Sequence, residues 1–100
     1  MLIIVGYAGT GVSFFPMFEG LREEFEITTV DILGFGCSGR PTFRANTVAG
    51  VLGWFSWQLR AWMEATGYDA PGKGAYSMFC HSMGCYFASH WAIDNHAKID

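Results

Sequence analysis

The sequence predicts an α/β fold of three layers, in which a mostly parallel sheet is covered by helices on both faces. Three short runs of β-forming residues, 2–5, 26–31 and 75–80, alternate with longer segments of helical periodicity. The first run is apolar throughout, as is typical of a parallel strand buried on both faces. The order is β-α-β-α-β-α, and this alternation indicates parallel strands joined by right-handed helical crossovers.

Composition limits the classes of protein to which the chain can belong. Of its 100 residues, 51% are hydrophobic and 15% are charged, which is typical of a globular domain. The aromatic share of 17% is large for a chain that can bury only a modest core. We therefore expect residues 1–100 to be part of one larger domain, with no internal linker.

Charge and targeting signals exclude several functions. The net charge is −3 and the six Lys and Arg residues form no basic stripe, so nucleic acid is not an expected partner. The first apolar run stops at Gly6 and lacks a positive flank, so no signal peptide is indicated. No stretch reaches the roughly 20 apolar residues of a membrane span. We expect a cytoplasmic protein, with peripheral contact to membranes left open.

Nothing in the sequence predicts a cofactor or a metal site. The three cysteines are odd in number and lack C-x-x-C spacing, which argues against a disulfide framework and against zinc. The loop Gly6-x-x-Gly9-x-Gly11 has the reverse of the dinucleotide-binding spacing. His90 and His96 are six residues apart and face different sides of a helix, so they are not expected to be metal ligands.

Each predicted helix has recognisable ends. The first is expected over residues 13–25, with Ser13 as its cap. Residues 32–44 contain three glycines and a proline and predict a loop. The second helix is expected over residues 46–66, with Asn46 as its cap. Residues 83–95 predict the third. The aromatic residues of the second helix, Trp54, Phe55, Trp57 and Trp62, are expected to pack in the core or in an interface.

The segment of residues 80–84 lies between a predicted strand and a predicted helix. A serine there occupies a strained turn that lifts its hydroxyl clear of the sheet, so Ser82 is the candidate nucleophile. The positions two before and two after it must be small, and Cys80 and Gly84 satisfy this. His81 completes the turn, but we expect its ring to point away from the serine hydroxyl. The simpler alternative for Ser82 is an ordinary turn serine at a helix start.

A serine nucleophile also needs amide N–H groups where negative charge develops on the substrate oxygen. The N–H of Met83, at the start of the third helix, is one candidate donor. The second is expected from the loop after the first strand, with the N–H of Tyr7 best placed. Gly6, Ala8 and Gly9 complete that predicted oxyanion loop.

Three segments, residues 5–10, 31–41 and 80–84, resemble in that order the oxyanion loop, a post-strand loop and the nucleophile turn of α/β-hydrolases. Residues 31–41 are most similar to the abhydrolase-4/5 subgroup, which contains lipid-acting hydrolases and lipase coactivators. Three positions depart from the family pattern. Val5 replaces a histidine that usually braces the oxyanion loop, Cys80 replaces a glycine, and Cys85 replaces a frequent second glycine.

The resemblance implies a serine esterase or lipase that acts on carboxylic or lipid esters through Ser82, with contact to membranes or lipid droplets. It also implies a triad in the order Ser, acid, His, whose last two members are absent from residues 1–100. His90 lies about 12 Å along the third helix from the serine and cannot replace the missing base. We therefore expect these 100 residues alone to be inactive.

Two other interpretations remain open. In the first, the chain is a non-catalytic lipase coactivator or lipid-binding scaffold, although the resemblance implies asparagine rather than Ser82 in such proteins. In the second, the chain is a truncated gene product without independent function. Asp31 and Ser38 are expected to hold the loop after the second strand through local hydrogen bonds rather than to take part in chemistry.

Overall fold

A computed structural model describes all 100 residues and contains one parallel sheet of three strands. The strands are β1 (Leu2–Ile4), β2 (Thr28–Val30) and β3 (Met78–Cys80), in the spatial order β2-β1-β3. In the central row of the sheet, Ile3 lies opposite Thr29 on one side and Phe79 on the other. The predicted parallel α/β class is confirmed. Each strand is shorter than predicted because only three rows of residues pair across the sheet.

Helices connect the strands. A 3₁₀ turn, Gly11–Phe14, leads into α1 (Phe15–Leu21). The long helix α2 (Val48–Thr66) joins β2 to β3, and α3 (Met83–Asn95) follows β3 with its predicted bounds. A final 3₁₀ turn, His96–Lys98, brings the chain back beside the sheet, where Tyr76 and Ile99 form a single parallel bridge.

The predicted cap at Ser13 is wrong. Thr10 caps the 3₁₀ turn by accepting a hydrogen bond from the Val12 N–H, and the Ser13 hydroxyl accepts one from the Thr10 N–H. The two residues form a reciprocal capping box, in which Thr10 is the N-cap and Ser13 is the third residue of the turn. The following helix also ends at residue 21 rather than 25. In a longer helix, the acidic residues between these two positions would lie at the negative end of the helix dipole and would be unfavourable there.

The predicted cap of α2 is wrong by one residue. Thr47, rather than Asn46, has extended backbone, and its hydroxyl accepts a hydrogen bond from the Gly50 N–H at 3.1 Å. Both residues are good caps, so sequence alone does not separate them. Gly67 ends the helix with a φ of 65°, as predicted from its position.

Side chains alternate between two covered faces of the sheet. Leu2 and Ile4 point to a core shared with α2 and α3, which also contains Ile32, Phe55, Leu59, Met63, Tyr76, Phe87, Ala88 and Trp91. On the opposite face, the Phe14 ring packs edge-on against Phe79, with 5.4 Å between their centroids. Helices therefore cover both faces, which confirms the predicted three layers.

The aromatic residues of α2 differ in their surroundings. Phe55 is buried, and Trp54 and Trp62 pack against the core as expected. Trp57 is largely exposed, so its predicted packing is not observed within the chain. None of the helices is long and apolar enough to cross a membrane.

Candidate active site

The candidate site lies at the carboxyl edge of the sheet, where the loops after β1 and β3 meet. Parallel sheets place their ligand sites at this edge because the loops there converge. Ser82 is exposed and comes directly before α3. Its φ is 53° and its ψ is −126°, a conformation that costs a non-glycine residue about 1–3 kcal/mol. Its side chain makes no capping bond to the helix that it precedes.

Two glycines allow the backbone to pack closely around this turn. A Cβ atom added to Gly84 would lie 2.5 Å from the carbonyl oxygen of Val5 and 2.8 Å from that of Ile4. A Cβ atom added to Gly6 would lie 2.8 Å from the Cβ of Ser82. The start of α3, the end of β1 and the serine turn are therefore in direct contact. The residue at position 84 must be small, as predicted, because a larger side chain would collide with the backbone carbonyl groups at the end of β1.

Cys80 occupies the other position that was expected to be small. Burial raises the pKa of its thiol to about 11, and a hydrogen bond with Cys85 contributes in the same direction. The side chain packs against the core beneath the serine turn. Since the thiolate is the reactive form of cysteine, this residue is a packing group rather than a nucleophile.

The loop after β1 is held in shape by its own backbone. The Gly9 N–H donates to the Gly6 carbonyl oxygen at 3.1 Å, and Ala8 has a φ of 57°. A Cβ atom added to Gly9 would lie 3.2 Å from the Cβ of Val5, which is fully buried beneath it. Val5 thus braces the loop by apolar contact at the position where the family resemblance implies histidine. Tyr7, by contrast, is exposed at the tip of this loop.

Asp31 ties the loop after β2 to the loop after β1. Its carboxylate accepts hydrogen bonds from the Gly11 N–H at 2.7 Å and from the Cys37 N–H at 2.9 Å. The Ser38 hydroxyl donates to the Asp31 carbonyl oxygen. The prediction that Asp31 and Ser38 organise this loop by local hydrogen bonds is confirmed.

None of the three histidines forms a hydrogen bond with the Ser82 hydroxyl. The His81 ring packs edge-on against Phe14, with 5.7 Å between centroids, and borders Gly6. His90 lies two turns into α3, and His96 lies beyond its end. The site therefore contains a strained, exposed serine and candidate amide donors, and no histidine of these 100 residues is hydrogen-bonded to that serine.

A large apolar cavity of about 760 Å³ opens at the same edge. Its wall includes Tyr7 and Met83, the residues whose amide groups are the candidate donors, but not Ser82, and it continues between the loop after β2, α2 and α3. The other lining residues are mostly apolar and include Leu33, Phe35, Phe43, Val48, Val51, Leu52, Trp54, Phe55, Tyr86 and Phe87. Sequence reasoning missed this feature. The segment of residues 41–48 was predicted as a loop followed by a helix start. Its apolar residues, which are unusual for an exposed loop, are the signal that could have revealed the cavity.

The whole chain, residues 1–100, matches the family model of the alpha/beta hydrolase fold. The chain belongs to the α/β-hydrolase fold family. This α/β-hydrolase chain is 26% identical over 95 residues to a probable 1-acylglycerol-3-phosphate O-acyltransferase of Oryza sativa subsp. japonica, covering 95% of the chain and 22% of that protein. It is 27% identical over 93 residues to a 1-acylglycerol-3-phosphate O-acyltransferase of Arabidopsis thaliana, covering 93% of the chain and 21% of that protein.

The α/β-hydrolase chain thus spans about a fifth of the length of these curated relatives. No solved structure gives a significant match. The likeness to the abhydrolase-4/5 subgroup stays a prediction. No group of three or more His, Cys, Asp or Glu side chains is arranged to hold a metal ion.

Proposed function

We propose that Ser82 is the nucleophile of an enzyme that transfers acyl groups from lipid or other carboxylic esters, either to water or to an alcohol. The observation that carries this proposal is the backbone of Ser82, which has a φ of 53° in an exposed turn between β3 and α3. Strain of this kind persists only where the surrounding structure enforces it, and it is concentrated at functional sites. An ordinary helix-capping serine has extended backbone and needs no such strain.

The proposed reaction begins with attack of the Ser82 Oγ on the ester carbonyl carbon. The amide N–H groups of Met83 and Tyr7 donate to the oxyanion that forms, and loss of one such donor typically costs about 10²–10³ in rate. Collapse of this intermediate expels the alcohol and leaves an acyl-serine. Water or a second alcohol then takes the acyl group and restores the serine hydroxyl. The proton on Oγ requires a general base, which we expect from a histidine outside residues 1–100.

The apolar cavity supports a lipid substrate. Its volume of about 760 Å³ lies within the usual range for small-molecule sites, and it borders both proposed oxyanion donors. An acyl chain in this cavity would lie beside Met83, the residue that follows Ser82. The names of the two plant relatives, acyltransferases of 1-acylglycerol-3-phosphate, support a lysophospholipid hydroxyl as one acceptor.

The same cavity also supports a different function, that of a lipid-binding scaffold or lipase coactivator without catalysis. Such a protein needs the cavity but has no use for an activated serine. The two functions therefore differ in the chemical reactivity of Ser82.

Labelling with a fluorophosphonate probe, which reacts only with activated serines, tests the proposal. Both the 100-residue chain and the product of the complete open reading frame would be labelled, each with two variants. Ser82→Ala removes the proposed nucleophile. Ser89→Ala is the matched control because Ser89 is also exposed and lies on the following helix.

We expect the product of the complete frame to be labelled, with labelling lost in Ser82→Ala and retained in Ser89→Ala. The 100-residue chain should remain unlabelled because it lacks a base. Absence of labelling in both forms would favour the non-catalytic scaffold. Supplying the labelled enzyme with an acyl ester and then with either water alone or a lysophospholipid distinguishes hydrolysis from acyl transfer by the product formed.

A further inference from the structure

Two thiol groups meet beside the Ser82 turn. Cys80 is the last residue of β3 and lies opposite Ile4 of the central strand. Cys85 belongs to the first turn of α3. The two side chains are hydrogen-bonded to each other, and both residues are half-buried. The family resemblance implies glycine at both positions, so the turn itself does not require a thiol at either one.

The backbone between the two cysteines brings them together. The Gly84 N–H donates to the His81 carbonyl oxygen at 2.9 Å. The Cys85 N–H donates to the Ser82 carbonyl oxygen at the same distance. These two successive turns bend the chain back within the four residues that separate the cysteines. The His81 N–H also donates to the Ile4 carbonyl oxygen at 3.1 Å, which fixes the start of the bend on β1.

From this contact we infer that Cys80 and Cys85 are a redox-modification site, at which oxidised glutathione or a similar small-molecule disulfide converts them into an internal disulfide that deforms the Ser82 turn. The Cys85 thiolate attacks one sulfur of the oxidant, whose S–S bond breaks and releases one thiolate. Cys80 then loses its proton and attacks the Cys85 sulfur of this mixed disulfide, which releases the second thiolate. The two thiol protons pass to the released thiolates. The two electrons lost by the pair reduce the oxidant to two thiols, and a dithiol reverses the reaction.

The order of attack follows from the burial of Cys80. Its raised pKa, about 11, leaves almost no thiolate at neutral pH, so it reacts poorly with reagents in solution. Attack on a sulfur that it already contacts is different, because well-oriented neighbours react with effective concentrations of about 10⁵ M or more. A thiol of high pKa is also the stronger nucleophile once it is ionised. Cys80 therefore resolves the mixed disulfide that forms on Cys85.

A disulfide would change the geometry of the serine turn. Its S–S distance is about 2.05 Å, much shorter than the separation of two unbonded sulfur atoms. The start of α3 cannot take up this movement by approaching β1, because Gly84 already lies against the Val5 carbonyl oxygen. The residues between the cysteines must move instead, and they include Ser82 and Met83. The effect on catalysis rests on the proposed function, whereas formation of the disulfide does not.

Peptide mass spectrometry tests the modification site without any assay of activity. The folded product of the complete open reading frame would be equilibrated with glutathione buffers of increasing oxidised share, then alkylated and digested with trypsin. Trypsin releases both cysteines in one peptide, residues 74–98, because no Lys or Arg lies between Lys73 and Lys98. An internal disulfide removes two hydrogen atoms from this peptide and blocks its alkylation. The exposed Cys37 lies in a different peptide and reports on an unpaired thiol.

We expect the internal disulfide in the wild type, with reversal by dithiothreitol. Cys85→Ala should abolish it, whereas the matched control Cys37→Ala should retain it. Cys37 of the wild type should form only a mixed disulfide with glutathione. Circular dichroism before and after oxidation should be unchanged, because the disulfide forms within the folded turn.

Fluorophosphonate labelling of the same samples tests the effect on Ser82. Oxidation should slow the labelling of the wild type and of Cys37→Ala roughly tenfold or more, since loss of one oxyanion donor typically costs about 10²–10³ in rate. Dithiothreitol should restore the labelling rate. Cys85→Ala should be labelled like the reduced wild type and should not respond to the oxidant.

Two results would overturn the inference. The first is a peptide of residues 74–98 that stays reduced, or carries separate glutathione adducts on its two cysteines, at every buffer ratio. The second is an internal disulfide that leaves the labelling rate unchanged, or a slowing that persists in Cys85→Ala. A wild type whose disulfide forms but whose reduced state is never labelled would contradict the proposed function of Ser82 and would still support the modification site.

Discussion

Replacing Gly84 by alanine tests how closely α3 must approach the central strand. The new Cβ would lie 2.5 Å from the Val5 carbonyl oxygen and 2.8 Å from that of Ile4, and both are backbone atoms of a buried segment. An ordinary contact begins near 3.4 Å, so α3 would have to retreat by about 0.9 Å. That retreat would move the amide of Met83, a proposed oxyanion donor, together with the turn of Ser82.

The expected loss of stability combines two opposing effects. Overpacking in a close contact costs about 1–3 kcal/mol, and more where the backbone cannot yield. Alanine recovers up to about 1 kcal/mol of helix propensity relative to glycine. Since two carbonyl oxygens oppose the new methyl group, we expect Gly84→Ala to lower the free energy of unfolding by about 2 kcal/mol. Gly53→Ala in α2 is the matched control, because nothing lies within 4 Å of its added Cβ.

Urea denaturation followed by circular dichroism measures both variants. Gly84→Ala should lower the midpoint by about 1–2 M, given the slopes usual for chains of this size. Gly53→Ala should raise the free energy of unfolding by about 0.5–1 kcal/mol. If Gly84→Ala unfolds at the same urea concentration as the wild type, α3 does not rest on the carbonyl groups of β1 and the reasoning is refuted.

Two further predictions concern the serine turn. Ser82→Gly should be more stable than Ser82→Ala by about 1 kcal/mol in the same urea assay, because glycine adopts a φ of 53° without strain; equal stabilities would show that the turn is relaxed. The raised pKa of Cys80, about 11 against an ordinary 9.0, predicts that its alkylation is slow at pH 8 and accelerates up to about pH 11, while the exposed Cys37 reacts readily. Because burial disfavours the thiolate, the stability contributed by Cys80 is present below pH 9 and is lost as the pH rises towards 11. Mass spectrometry of the alkylated peptides at several pH values measures the two alkylation rates, and similar rates for the two cysteines would contradict the predicted difference in reactivity.

The order and type of the elements could be predicted because they depend on local properties of the chain. An entirely apolar β1 is typical of a parallel strand with both faces covered. Gly67 marked the end of α2 because its left-handed conformation suits glycine. Helix starts were predicted less well. Asn46 and Thr47 are both good caps, and the choice depends on which residue the loop delivers in extended conformation.

The sequence by itself determined the parallel α/β fold, the serine between a strand and a helix, and the small residues that such a turn needs. Each of these is a consequence of neighbours along the chain. Tertiary structure alone decided the contact of Gly84 with β1, the packing of Val5 beneath Gly9, and the cavity whose rim joins Tyr7, Val48 and Tyr86. These features bring together residues from distant segments. The distances between these residues depend on how the helices pack on the sheet, and no local sequence pattern specifies that packing.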